Sequence, residues 1–218
     1  MTARGAARVE VSLPGSGRGA SARPARVSLA GEDGSVEELL VPAQVGRRLV
    51  SSLGGTQATC PAERARELVR SATEACARER VESLVGRRDY CAAELARKLL
   101  ESGFPRDVVD ERVGRAVAAG LVDDARYARS FARSKVSAGW GRSRIERELE
   151  LRGVSRGVAV EAVDEEAGDA GERERALALA GRRPLTGRND VQRIARFLCG
   201  RGFAPGLAFD VAREVVGG

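Results

Sequence analysis

Three stretches of this chain align with one another without a gap: ELARKLLESGFPRDVV (94–109), RIERELELRGVSRGVA (144–159) and RIARFLCGRGFAPGLA (193–208). Leu95, Ile145 and Ile194 fall in one column, Leu99, Leu149 and Leu198 in another, and Phe104, Val154 and Phe203 in a third. Gly103, Gly153 and Gly202 match as well, 50 and 49 residues apart. A recurrence at that spacing, with three helical segments per unit, marks a tandem array whose copies bury part of their apolar stripes against one another. The fold expected is mainly α: an elongated, curved array of three tandem three-helix repeats, at 61–119, 120–167 and 168–218.

The middle copy is the most informative. From Gly120 to Val154 it reads GLVDDARYARSFARSKVSAGWGRSRIERELELRGV. A helix beginning at Asp123 puts Tyr127, Ala128, Phe131, Ala132 and Val136 on one face and Arg126, Arg129 and Arg133 on the opposite one. A second helix begins near Ser143, where Ser-x-x-Glu to Glu146 has the form of a capping box. It buries Ile145 and Leu149, and Gly153 stops it.

A β-rich extension, residues 1–57, precedes the array. RVEVSL (8–13) alternates and places Val9, Val11 and Leu13 on one strand face; Arg26–Ala30 and Val36–Val41 supply two more strands around a turn at Gly31–Gly34. Pro14–Pro24 is a loop. Pro42 opens a short helix carrying Val45, Leu49, Val50 and Leu53, ended by Gly54-Gly55. From Thr59-Cys60-Pro61 a long helical pattern follows, with Leu68, Ala72, Ala75 and Cys76 on one face and Pro61 in its first turn. Three short strands bury little alone, so this cap must dock or stay loosely ordered.

Aromatic residues make up only 4% of the chain, so Val, Leu and Ala must build the core, which suits closely packed helices. The net charge of +6 favours an anionic partner, either nucleic acid or an acidic protein face. Only Lys98 and Lys135 are lysines, so the arginine abundance also reflects a compositional bias. Charge is unevenly placed: residues 86–147 hold fourteen Arg and Lys against nine Asp and Glu. Acids gather at Glu161, Asp164, Glu165, Glu166, Asp169, Glu172 and Glu174. Cys60, Cys76, Cys91 and Cys199 form no CxxC pair and there is no histidine, which argues against zinc sites and His-based catalysis. No apolar leader or membrane-spanning run is present, so a cytoplasmic chain with reduced thiols is expected.

At GLVDDARYA (120–128) and GWGRSRIERELELRGV (139–154) the sequence resembles the RecX family of RecA regulators. Arg152 and Val154 stand where that family usually has Lys and Ile. Glu94, Leu95, Lys98 and Leu99 resemble its Glu-Leu-x-x-Lys-Leu element, with Cys91 where serine is common. Phe197, Leu198, Arg201, Gly202 and Phe203 resemble its closing element, so the likeness covers about 75–218. The resemblance implies a non-enzymatic protein, without cofactor or metal, that lies in the groove of the RecA filament on single-stranded DNA. It implies restraint of RecA ATPase, strand exchange and coprotease activity in recombinational repair and the SOS response.

The residues themselves divide into two groups. Gly120, Leu121, Asp123, Asp124, Tyr127, Ala128, Trp140, Ile145, Leu149, Gly153 and Gly202 carry the motif and read as structural. One acid of Asp123-Asp124 caps the helix and the other favours its positive end; Tyr127 and Phe131 are core; Trp140 packs at the turn or anchors a partner. The candidate binding face is cationic: Arg126, Arg129 and Arg133, then Arg142, Arg144 and Arg147, extended by Arg87, Arg88, Arg97, Lys98 and Arg115. Arginine suits carboxylates and phosphates alike. The expected partners are the RecA filament and, through phosphates, single-stranded DNA, with the chain monomeric. The alternative is a non-sequence-specific DNA-binding protein built from helix-turn-helix-like modules. No helix offers the cluster of base-reading side chains that sequence-specific recognition requires.

Overall fold

The structure is a computed structural model describing residues 5–15 and 23–217, the side chains of 169 and 170 apart. Four strands and ten helices are seen among the described residues: β1 (Ala6–Ser12), β2 (Ala25–Gly31), β3 (Val36–Val41), α1 (Ala43–Leu53), β4 (Gln57–Pro61), α2 (Ala62–Val85), α3 (Ala92–Glu101), α4 (Arg106–Ala118), α5 (Asp124–Ser137), α6 (Arg142–Arg152), α7 (Arg156–Ala167), α8 (Asp169–Gly181), α9 (Asp190–Gly200) and α10 (Pro205–Gly217). Among the described residues no helix is long and apolar enough to cross a membrane. The chain divides into two compact units, one up to Arg88 with Leu95–Leu121, the other Asp89–Glu94 with Val122 onward.

In the first unit the strands form one antiparallel sheet in the order β3-β2-β1-β4. Alternation puts Val9, Val11, Val27 and Leu29 on its buried face, against which α1 and α2 pack. Helix α1 lies close to the sheet because residue 46 is glycine: a Cβ there would meet the Ala25 methyl and, at 2.9 Å, Leu13 Cδ2. Two expectations are corrected here. β1 ends at Ser12, so Leu13 is not a strand residue and is 38% exposed. A fourth strand, β4, occupies Gln57–Pro61, where a helix start was expected; Pro61 closes the strand and is the N-cap of α2. An edge strand tolerates Pro61 because it needs no donor on its open side. Most of the expected Pro14–Pro24 loop lies outside the described residues.

The aligned apolar columns are buried in both units. Leu95, Leu99, Ile145, Leu149, Ile194 and Leu198 are all essentially inaccessible, and Phe104, Val154 and Phe203 are buried beside them. Removing such a side chain to Ala costs about 2–5 kcal/mol. Gly103, Gly153 and Gly202 have φ of 85°, 94° and 92°, the left-handed turn that lets the chain leave α3, α6 and α9 and enter α4, α7 and α10.

Candidate partner-binding face

In the second unit α5 packs on α7, and the acids of α7 meet the arginines of α5 and α6. Arg133 makes two hydrogen bonds to Glu166 through Nε (3.2 Å to Oε1, 3.1 Å to Oε2) and one through Nη2 (2.7 Å to Oε1). The pairing lowers the Glu166 pKa and raises that of Arg133. Arg129 lies 3.9 Å from Glu165 and Arg126 3.8 Å from Asp89. Arg142 pairs with Glu146 at 3.2 Å and also with Asp164. The α5 arginine ridge therefore faces carboxylates of its own unit. Two acids of the cluster, Glu165 and Glu166, are its counter-charge, and Asp164 serves Arg142. The side chain of Asp169 lies outside the described residues.

The motif acids have separate structural roles. The Asp123 carboxylate accepts the Arg126 N–H at 2.9 Å, capping α5 and lowering its own pKa. Asp124 accepts instead from the main-chain N–H of Ala92, at 2.8 Å, and so caps the first turn of α3. Glu172 of α8 does the same for α6, accepting the Arg142 N–H at 3.0 Å. Ala92 and Arg142 occupy one column of the internal alignment. The expected capping box of Ser143 and Glu146 is absent: α6 has Gly141 as N-cap, without a side-chain cap. The physical reason is competition. Gly141 N–H donates to Arg201 O at 2.9 Å and Ser143 N–H to Gly202 O at 3.2 Å, so partners distant in sequence take the free donors.

The approach is close enough to require glycine. A Cβ on Gly202 would overlap Arg144 Cβ, and one on Gly141 would run into the backbone of Gly202 and Phe203. A Cβ on Gly153 would overlap that of Ala93. At the same place Cys91 Sγ donates to Arg152 O at 3.3 Å, the column counterpart of Gly141 N–H on Arg201 O. Burial pushes the Cys91 thiol pKa up, so it is an inert packing group.

Tyr127 belongs to the buried apolar cluster of this unit, with Phe131 and Trp140 packed against it. Tyr127 is buried and stacks on Phe131 with ring centroids 6.3 Å apart. Its hydroxyl accepts from Arg152 Nη1 at 3.2 Å. Lys135 Nζ stands 5.0 Å from the Trp140 ring centre and 5.1 Å from that of Phe131. Trp140 is half-buried against the core, and the Arg144 guanidinium lies over it at 3.8 Å. Gly120 begins the αL turn out of α4 with φ of 69°, and Leu121 is exposed.

The candidate cations thus sort themselves. In the first unit Lys98 pairs with Glu101 at 2.7 Å and Arg115 with Glu111 at 2.6 Å, while Arg87, Arg88 and Arg97 are exposed. In the second unit Arg144 and Arg147 are the candidates that have no carboxylate within ion-pair distance among the described residues. One residue of this surface was not expected. Leu151 is 68% exposed, one helical step beyond Arg147; its place off the Ile145–Leu149 stripe was the signal available in the sequence.

A family profile described as "RecX, second three-helix domain" matches residues 123–163. The Regulatory protein RecX of Pseudomonas entomophila is 35% identical over 107 residues, 48% of this chain and 68% of that protein. The chain belongs to the RecX family. Regulatory protein RecX of Chromohalobacter salexigens is 45% identical over 86 residues, 38% of this chain and 56% of that protein. The RecX fold is shared as well. A crystal structure of RecX from Lactobacillus salivarius matches with a TM-score of 0.61 at 18% identity, covering 67% of this chain and 98% of that one. A second crystal structure of regulatory protein RecX gives 0.61 at 18% identity over 97% of this chain and 100% of that one. The RecX profile takes in Asp123, Asp124, Trp140, Arg144 and Arg147, so the α5 cap and the candidate arginines of α6 lie inside the matched region.

Proposed function

We propose that this RecX-family chain binds the RecA filament on single-stranded DNA and restrains it, lowering ATPase, strand-exchange and coprotease activity in recombinational repair and the SOS response. The observation that carries the reading is the 35% identity to a Regulatory protein RecX across two thirds of that protein. The chain acts as a monomer in the cytoplasm, without catalysis, and the helix triplets 61–119, 120–167 and 168–218 are its repeats. Exposed arginines support an anionic partner, and the acid-paired α5 ridge moves the weight of that support to α6.

The test is RecA ATPase on single-stranded DNA with the purified chain titrated in. A progressive fall toward stoichiometry is expected; unchanged ATPase and strand exchange at that amount refute the reading. The second reading, non-sequence-specific DNA binding, draws on the same exposed arginines, which suit phosphates. It wins if the chain binds DNA tightly without RecA and has no effect on RecA activity.

A further inference from the structure

Helix α6 carries two faces with different duties. Ile145 and Leu149 are fully buried. On the outward side Arg144, Arg147 and Leu151 follow at i, i+3 and i+7, a single stripe, with Trp140 beneath Arg144 at its start. We propose that this stripe is the surface on which a protein partner docks, one presenting carboxylates around an apolar spot. The proposal rests on the RecA-filament reading above and names the part of the chain that meets the filament's protein surface.

Three observations carry it. Arg147 recurs as Arg97 and Arg196 in the aligned stretches, but the apolar members of the stripe do not recur. Where the middle copy has Leu151, the aligned places hold Glu101 and Gly200; where it has Trp140, they hold Tyr90 and Asn189. The charges are also unspent. Arg129, Arg133 and Arg152 of the same unit each have a carboxylate within 4 Å, whereas among the described residues Arg144 and Arg147 have none. Finally, the composition is that of a binding centre: Trp and Arg dominate such centres, and Arg144 is already held on the Trp140 ring, which lowers the entropy lost on docking.

Leu151 decides between partner classes. A phosphate backbone takes up arginine but offers nothing to an exposed aliphatic side chain, whereas an acidic protein face with an apolar spot uses both. Charge and apolar area then act together: the arginines select the acidic partner and speed its approach, and Leu151 with Trp140 supplies buried area.

The experiment measures binding of the full chain to RecA filaments on single-stranded DNA, and to the bare DNA, for Arg147→Glu, Leu151→Asp and Arg196→Glu. Arg196 is exposed at the α9 place aligned with Arg147, so its reversal changes net charge equally. Circular dichroism and melting confirm that each variant folds. Arg147→Glu and Leu151→Asp are expected to weaken filament binding about tenfold or more, while Arg196→Glu stays within about twofold of the unaltered chain. Leu151→Asp binding as tightly as the unaltered chain overturns the stripe while leaving the functional reading intact. So does a variant pattern in which Arg147→Glu weakens bare-DNA binding equally and Leu151→Asp is neutral, which assigns the face to nucleic acid. An unaltered chain that does not bind the filament overturns the functional reading and the stripe's partner together.

Discussion

Asp124 accepts a hydrogen bond from the main-chain N–H of Ala92 at 2.8 Å, so the second acid of the Asp-Asp pair caps a helix other than its own. Capping side chains are worth about 1 kcal/mol each. Asp124→Ala should lower stability to denaturant by about that amount and speed hydrogen exchange at the Ala92 amide, with Asp124→Asn losing less. Exchange at Ala92 unaffected by Asp124→Ala would remove this role.

Glycines of the first and second units should respond with opposite signs. Gly202→Ala places a methyl on Arg144 at a positive φ, and a loss of about 2 kcal/mol or more is expected. Gly114 lies inside α4 with open space around its Cβ position, so Gly114→Ala should gain about 0.5–1 kcal/mol from helix propensity. Chemical denaturation of the two variants checks both. Equal effects would mean that the close approach at Gly202 is relieved at little cost.

Reversing one charge of the Arg133–Glu166 pair should lower the melting temperature, and the exchanged pair Arg133→Glu with Glu166→Arg should recover most of the loss. The pair is largely exposed on the arginine side, so the effect is small and shrinks in high salt. A double variant no better than the worse single one would show that the two side chains do not interact in solution.

Acid should weaken the second unit through Asp190. Burial opposes ionisation of this carboxyl, yet the Thr186 N–H and hydroxyl, the Gly187 N–H and Arg193 overcome it and hold the pKa at about 2. A carboxyl depressed on folding contributes stability above its ordinary value of 3.8 and loses it as pH falls toward about 2. Melting followed from pH 5 to pH 2 should show a decline that is reduced in Asp190→Asn, itself less stable at pH 7. An identical acid profile in that variant would refute the assignment.

The four cysteines should label in order of access. Cys199 is exposed and should react first with a thiol reagent, half-buried Cys60 next, and Cys76 and Cys91 only on unfolding. Burial raises the thiol pKa at both buried positions, which slows them further. Mass spectrometry of a timed labelling reaction reads the order directly; early modification of Cys91 would contradict its packed place beside Arg152.

What the sequence disclosed and what it hid follow from the range of the interactions. The columns led by Leu95, Leu99 and Gly103 are local patterns repeated three times, and each copy reinforces the others. β4 is only five residues long with Ala58 and Cys60 facing inward, and its Pro61 reads equally well as a helix start. The Ser143–Glu146 box is a sound local signal that lost to Glu172 and Gly202, partners supplied by later helices. The arginine ridge was visible as a periodicity, but its neutralisation by Glu165 and Glu166 depends on how α7 lies against α5. Leu151 stood out of register with its own helix, and its meaning emerged only once its exposure was known.

Asp190 stands in the column that holds Cys91 in the first copy and Gly141 in the second. In those two copies the main chain of a following turn accepts a hydrogen bond from that residue. In the third, the loop from Thr186 folds back, and its donors converge on the Asp190 carboxylate. A further copy laid on α9 would bring carbonyl oxygens toward a fixed negative charge and find the landing place already filled. A design that lays another helix triplet on α9 must first rewrite Thr186 to Asp190.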